Sequence, residues 1–248
     1  MSGELALAIP LGLAVGLALG MLGAGGGVLT VPALVYLLDQ PVEVATTASL
    51  AIVGTTAASG AYTSWREHFV DVPTAGLFVL GAVPLAVLGS IASTQVSDDA
   101  ILLVLATLML LAALALVKRP YQPPESARAA RAIVPMGAAT GFLTGLAGVG
   151  GGFLIVPALV LLAGLATQFA IGTSLVVIGV ASAAGLVTRL AAVGELPLVL
   201  VTVLSVAGII GARFGAGIGR RMDAAVLDRM FAGLLVVLAG VIASSIIF

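Results

Sequence analysis

Apolar residues follow one another along this chain in long runs that no charge interrupts. Residues 5–38 hold no Asp, Glu, Lys or Arg over 34 positions, and residues 132–188 hold none either. A helix needs about 20 apolar residues to cross a bilayer, whereas the strands of a membrane barrel alternate polar and apolar positions, which these runs do not. The pattern predicts an all-α polytopic membrane protein with eight apolar segments: 5–38, 42–65, 72–94, 100–117, 133–165, 169–190, 196–213 and 225–248.

The second half of the chain repeats the first at a distance of 125 residues. Gly23–Leu34 is GAGGGVLTVPAL and Gly148–Leu159 is GVGGGFLIVPAL, with nine of twelve positions identical. The same distance joins Ala45–Leu50 to Ala170–Leu175. A polar, proline-bearing and basic stretch separates the two copies, as a linker should. We therefore expect three regions: a first repeat of four segments over 1–117, a basic cytoplasmic linker over 118–132 and a second repeat of four segments over 133–248.

The first and fifth segments are too long for one crossing. A straight helix of 34 residues reaches about 51 Å, against about 30 Å of hydrocarbon. Each segment contains a glycine cluster and then a proline, so we expect a break there, with a shorter helix starting near Val28 or Phe153. Pro32 and Pro157 would then lie in the first turns of these shorter helices, where a missing N–H does little harm.

Charge favours an inverted relation between the two repeats. If the first and fifth segments turn back, each half crosses three times, both termini lie outside, and the halves have opposite orientations. Lys and Arg prefer the cytoplasmic side, and this arrangement places nine of the ten basic residues there, all except Arg189; parallel halves would place six there. The nine are Arg66, Lys118, Arg119, Arg128, Arg131, Arg213, Arg220, Arg221 and Arg229.

Repeated, glycine-interrupted segments at matching positions are typical of the central site of a transporter. Non-helical backbone inside a membrane is tolerated where it lines a cavity, and the N-terminus of a half-helix presents free N–H groups and a partial positive charge there. Hydroxyl side chains follow each glycine cluster. We therefore expect a mid-membrane anion site between the two broken segments. Its candidate residues are Gly23, Gly25, Gly26, Gly27, Thr46, Thr47, Ser49, Gly148, Gly150, Gly151, Gly152, Thr173 and Ser174.

These features also have structural interpretations. Glycines allow close helix packing in membranes, and Ser or Thr often bonds to a neighbouring carbonyl. Arg189 has two interpretations: it holds an anion at the mouth of a pore, or it snorkels to the membrane interface. His68, the single histidine, is expected in a solvated loop.

Composition excludes several classes of function. The chain has 248 residues, of which 8% are charged, with a net charge of −1 and no cysteine, so neither nucleic-acid binding nor thiolate chemistry is expected. No phosphate-binding or dinucleotide-binding fingerprint accompanies the glycines. No Asp, Glu, Lys or His lies deep in an apolar segment, which argues against an intramembrane enzyme and indicates an anionic or neutral substrate. We expect no enzyme activity, no cofactor and no metal.

The duplicated glycine cluster followed by Val-Pro, in an eight-segment chain with a basic central linker, resembles the TauE/SafE family of sulfite and organosulfonate exporters, also called TSUP. The resemblance covers nearly the whole chain. It implies a secondary carrier that exports small sulfur-containing anions across the bacterial inner membrane, with the anion and the lipid bilayer as partners. A passive anion channel of the same architecture is the alternative, and a homodimer is among the open oligomeric states. Thr47, for which the second half has Gly172, departs from a symmetric site.

Overall fold

The structure, a computed structural model, describes residues 2–23, 25–93, 98–118, 130–147, 152–190 and 196–247. Within these ranges the chain forms helices and no strand, so the all-α prediction is confirmed. The helices are α1 (Ser2–Leu22), α2 (Gly25–Pro32), α3 (Val42–Arg66), α4 (Val72–Ser93), α5 (Asp98–Lys118), α6 (Ala130–Ala147), α7 (Gly152–Pro157), α8 (Thr167–Leu190), α9 (Leu198–Gly219) and α10 (Ala224–Ile247).

Helices α3, α4, α8, α9 and α10 contain stretches that are long and apolar enough to cross a membrane, judged by length and composition over the described residues. Large apolar side chains such as Leu80, Val187 and Phe214 are exposed on their outer faces. Lipid accepts such side chains, while the backbone polar groups are bonded within the helices. The chain is therefore a multi-pass integral membrane protein.

The first long segment is interrupted at its glycine cluster. Helix α1 ends at Leu22 and α2 begins at Gly25. In the second half, α6 ends at Ala147 and α7 begins at Gly152. The short helices thus begin at glycines, slightly earlier than the sequence predicts.

The prolines of the short helices do not occupy first turns, and that prediction is wrong. Pro32 is the last of the 8 residues of α2, and Pro157 is the last of the 6 residues of α7. Each proline is followed directly by a π-helical segment, Ala33–Leu37 or Ala158–Leu162. The chain therefore stays helical past each proline.

Helix α1 lies alongside α9 and runs in the same direction, with glycines at the contact. A Cβ atom at Gly16 would collide with the carbonyl oxygen of Gly208, and one at Gly20 with that of Ala212. The absence of side chains lets the two backbones approach closely, as in small-residue packing of membrane helices.

Helix α6 packs on α4 in the same manner. A Cβ atom at Gly141 would collide with the carbonyl oxygen of Ala82, and one at Gly145 with that of Ala86. Each glycine-packed pair therefore joins a helix from one half of the chain to a helix from the other half.

Helices α3 and α8 lie side by side in the centre of the bundle and run in opposite directions. Leu50, near the start of α3, packs at Gly185, near the end of α8. Ser64, near the end of α3, packs at Gly172, near the start of α8. Helices α5 and α10 pack on each other. The central pair therefore separates the two glycine-packed pairs, which sets the position of the site described below.

Candidate functional site

Gly23 turns the chain at the end of α1, and the second half of the chain holds it there. Its φ of 73° lies in the left-handed region, which glycine adopts without strain, and its N–H bonds to the Leu19 carbonyl at 2.8 Å. The hydroxyl of Ser174 lies 3.0 Å from the Gly23 carbonyl and 2.8 Å from the Ile171 carbonyl. The single hydroxyl proton of Ser174 is shared between two backbone acceptors, so its observed role is to position the break.

This break lies near one end of the bundle and not at its middle. Met21 lies beside Gly219, the last residue of α9, and Gly23 lies beside Ile171, near the start of α8. Helix α1 therefore runs along α9 to its end before the chain turns back through α2. The expected half-helix N-terminus at mid-membrane is not found at α2.

Gly23→Ala is expected to destabilise the protein more than Gly164→Ala. Both glycines have nearly the same φ, 73° and 74°, so each alanine incurs a left-handed strain of about 1–2 kcal/mol. A Cβ at Gly23 would also lie 2.7 Å from Ser174 Oγ, whereas one at Gly164 meets nothing within 4 Å. Overpacking at Gly23 should add about 1–3 kcal/mol. Thermal unfolding in detergent measures the difference; equal losses would contradict a rigid contact with Ser174.

A cavity of about 520 Å³ lies between α3, α4, α6, α7 and α8. This volume is in the usual range for small-molecule sites. The walls are largely apolar, and among the described residues none that lines the cavity is acidic. Its polar lining residues are Thr46, Ser49, Thr140, Thr144, Ser182, Thr188 and Arg189. Hydroxyls and one guanidinium, without a carboxylate, form a lining that suits an anion.

The cavity opens at the end of the bundle where α4 and α8 end and α3 begins. The exposed residues Val87, Ile91 and Thr188 lie around this opening. Phe78 and Ile178, which also line the cavity, are fully buried, so the cavity extends from the opening into the interior. A second groove of about 480 Å³ is lined by apolar and aromatic side chains, with no charged group among the described residues around it.

Arg189 is the charged residue in the wall of the cavity. Its Nη1 donates a hydrogen bond to Thr46 Oγ1 at 2.9 Å, and Thr46 Oγ1 donates in turn to the Glu43 carbonyl at 3.0 Å. The ion pair seen among the described residues joins Arg220 to Glu67 and leaves Arg189 without a carboxylate. A guanidinium carries five N–H donors, and one of them makes the bond to Thr46.

The structure divides the sequence-predicted residues into two groups. Thr46 and Ser49 line the cavity, whereas Ser174 lies at the other end of the central helix pair. Leu175 packs at Gly60, which is eleven residues, or about 16 Å, along α3 from Ser49. One small anion cannot contact both groups at once.

The other predicted residues have structural contacts or lie outside the cavity lining. Thr47 is fully buried and donates to the Glu43 carbonyl at 2.9 Å. Thr173 Oγ1 accepts the Asp71 N–H at 3.0 Å, just before α4. Gly25, Gly26 and Gly27 lie in the first turn of α2, Gly152 begins α7, and Gly148, Gly150 and Gly151 lie outside the described residues.

Sequence reasoning missed the hydroxyls of α6 and the middle of α8. Thr140 and Thr144 are four residues apart on one helix face, next to the packing glycines Gly141 and Gly145. That spacing is the signal that identifies them. Ser182 has no comparable signal, because its place in the cavity depends on how α8 packs.

The comparisons with known proteins cover nearly the whole chain. A family model described as "Sulfite exporter TauE/SafE" matches residues 8–242. The chain belongs to the TauE/SafE family. A "Probable membrane transporter protein" of Xylella fastidiosa (strain 9a5c) is 31% identical to this TauE/SafE protein over 239 residues, which cover 90% of the chain and 88% of the relative. The "Probable membrane transporter protein YunE" of Bacillus subtilis (strain 168) is 26% identical over 242 residues, which cover 87% of the chain and 88% of the relative. No solved structure matches the chain significantly.

This TauE/SafE protein is therefore a membrane transporter. The family is one of transporters and not of enzymes. The family resemblance seen in the sequence is confirmed.

Proposed function

We propose that this TauE/SafE protein is a secondary transporter that exports a small sulfur-containing anion, such as sulfite or an organosulfonate, from the bacterial cytoplasm by alternating access. The observation that carries the proposal is the cavity with Arg189 in its wall and no carboxylate among the described residues that line it. Guanidinium N–H groups form short, charge-assisted bonds with oxyanions, and their forked geometry matches two oxygens of one ligand.

The proposed anion site is the part of the cavity near Arg189, Thr46 and Ser49. The Ser49 hydroxyl donates to the Thr46 carbonyl at 2.8 Å, and Thr140 across the cavity donates to the Met136 carbonyl at 2.7 Å. Rotation about χ1 would redirect these protons from the helix backbone to an anion oxygen. The apolar wall around Phe78 would hold the organic part of a sulfonate.

Two contacts support the inverted relation between the repeats, which suits alternating access. Arg220, after α9, forms an ion pair with Glu67, after α3. The inverted arrangement places both loops on the cytoplasmic side, whereas parallel repeats would place them on opposite sides of the membrane. The bond from Arg189 to Thr46 likewise joins two ends that only the inverted arrangement places on one side. The antiparallel course of α3 and α8, which are equivalent helices of the two repeats, agrees with both contacts.

Crosslinking tests this arrangement directly, because the chain has no native cysteine. Glu67→Cys combined with Arg220→Cys is expected to link in native membranes with a short bis-maleimide. A protease site inserted between residues 119 and 129 then shows whether the two halves stay joined after cleavage. Glu67→Cys combined with Arg189→Cys is the control, since the arrangement places these positions on opposite sides. A linked control pair, or an unlinked first pair, would contradict the inverted topology.

Transport in proteoliposomes tests the proposed function. Uptake of labelled sulfite or labelled sulfoacetate is expected to saturate with concentration, and unlabelled anion inside the vesicles should accelerate uptake by exchange. Protein-free liposomes are the control. Flux that neither saturates nor exchanges would indicate the passive channel, and absence of flux for both anions would contradict the substrate class.

A further inference from the structure

The open cavity has a collapsed counterpart on the other side of the central helix pair. A space of about 10 Å³ remains there, between α1, α2, α3 and α9. Three residues around it correspond, at the repeat distance of 125 residues, to residues around the open cavity. The pairs are Val15 with Thr140, Thr30 with Ile155, and Ile52 with Val177.

The helices around the collapsed space pack directly against one another. Helix α3 packs closely against α9, whereas the contact between the equivalent helices α8 and α4 is smaller and leaves room for the cavity. Leu204 of α9 contacts Gly12 of α1. In the same way, Phe78 of α4 contacts Gly137 of α6, which is the residue equivalent to Gly12 in the second half of the chain. The two sides are therefore built from equivalent helices, with an open cavity on one side and a collapsed space on the other.

Thr56 is buried in the shut contact with an unpartnered hydroxyl. The residue is fully buried, and Thr56 Oγ1 is the buried side-chain polar atom without a hydrogen-bond partner among the described residues. Other hydroxyls on α3, such as those of Thr55 and Thr63, donate to carbonyls of their own helix. A buried hydroxyl without a partner costs free energy, so its presence calls for a role outside this conformation.

The hydroxyl of Thr56 faces α9. A Cβ atom at Gly208 would lie 2.6 Å from Thr56 Oγ1, so the bare backbone of Gly208 covers the hydroxyl. Thr56 lies one helical turn from Ile52, and Gly208 one turn from Leu204, and both of these neighbours line the collapsed space. At the repeat distance, Thr56 corresponds to Ala181, which lines the open cavity.

We propose that Thr56 contacts the substrate in a second anion position, which forms between α1, α3 and α9 when that side of the bundle opens. This inference rests on the alternating access of the proposed function. In the open form the hydroxyl donates to an oxygen of a small oxyanion, and in the closed form Gly208 covers it. The anion therefore meets Arg189 and its neighbouring hydroxyls on one side and Thr56 on the other.

Single-cysteine labelling tests which side reaches Thr56. In the cysteine-free chain, Thr56→Cys is expected to react with a membrane-impermeant, negatively charged methanethiosulfonate reagent from one side of the membrane, and Ala181→Cys from the opposite side. Intact cells and inside-out vesicles expose the two sides. Ala57→Cys, at a buried neighbour in the main apolar core, is the control and should not react. Reaction of Thr56→Cys from the same side as Ala181→Cys, or from neither side, would overturn the proposal.

A paired substitution tests contact with the anion. Thr56→Val keeps the shape and removes the unpartnered hydroxyl, so it is expected to raise the melting temperature while lowering sulfoacetate flux about tenfold, equivalent to about 1.4 kcal/mol. Thr56→Ser should restore the flux. A raised melting temperature with unchanged flux would assign Thr56 a structural role and overturn the contact.

These outcomes are distinguishable from failure of the proposed function. If the unmodified protein transports neither sulfite nor sulfoacetate, the substrate class is wrong, and the labelling pattern still reports whether the side of Thr56 opens. If transport is robust and Thr56→Cys is unreactive from both sides, the function stands and the second anion position does not.

Discussion

Arg189→Gln is expected to lower anion flux about 10- to 100-fold at substrate concentrations below saturation. Hydrogen bonds to charged groups contribute about 1.5–3 kcal/mol, and a factor of ten corresponds to about 1.4 kcal/mol. The loss should be large because Arg189 is the charged side chain among the described residues that line the cavity, so without it an anion would lose water without gaining a countercharge. The flux of Arg189→Lys should lie between that of the unmodified protein and that of Arg189→Gln, since lysine keeps the charge and loses the forked geometry.

Initial rates of labelled sulfoacetate uptake over a range of concentrations measure this effect. The apparent KM should rise in Arg189→Gln, because the lost interaction binds the anion. Arg213→Gln is the matched control: Arg213 is exposed on α9 and does not line the cavity. Unchanged uptake in Arg189→Gln, or an equal loss of uptake in Arg189→Gln and Arg213→Gln, would contradict the proposal that the anion passes through this cavity.

Gly16→Ala is expected to cause a large loss of folded protein. Its Cβ would collide with the carbonyl oxygen of Gly208. The colliding atom belongs to the backbone, so no side chain can rotate away to relieve the contact. Overpacking costs about 1–3 kcal/mol and occasionally more, and here relief requires α1 and α9 to separate along their length. Gly141→Ala should behave in the same way, because Ala82 lies at the equivalent contact of α6 with α4.

Gly233→Ala is the control for this prediction. A Cβ there meets nothing within 4 Å, and alanine favours a helix over glycine by about 1 kcal/mol. The control should therefore be neutral or slightly stabilising. Melting temperature and the monodisperse fraction after gel filtration in detergent measure both variants; equal behaviour at Gly16 and Gly233 would contradict the close contact.

The helical segments were predictable because the bilayer sets their lengths and charges mark their ends. Helix α3 covers Val42–Arg66, against a predicted segment of 42–65. The break at Gly23 was predictable because glycine clusters disfavour continuous helix. The place of each proline within its short helix was not predictable, because it depends on where that helix begins. Gly25 begins α2 three residues before the predicted start.

The grouping of the site residues required the structure. Ser49 and Ser174 occupy equivalent positions in the two halves, and sequence reasoning placed them together. Because α3 and α8 run antiparallel, equivalent positions near their N-termini lie at opposite ends of the bundle. Arg189 and Thr46 show the opposite case. They are 143 residues apart in the chain and do not occupy equivalent positions, yet they form a hydrogen bond in the fold.

The glycine contact between α1 and α9 has a consequence for biosynthesis. Gly16 leaves the ribosome 192 residues before Gly208, and at 5–20 residues per second this interval lasts roughly 10–40 s. During that time the bare backbone strip of α1 has no matching surface. The nascent first helix must therefore be shielded by lipid or by the insertion machinery until translation of the last quarter of the chain supplies its partner. Chains that terminate before α9 are accordingly expected to be substrates for membrane quality control.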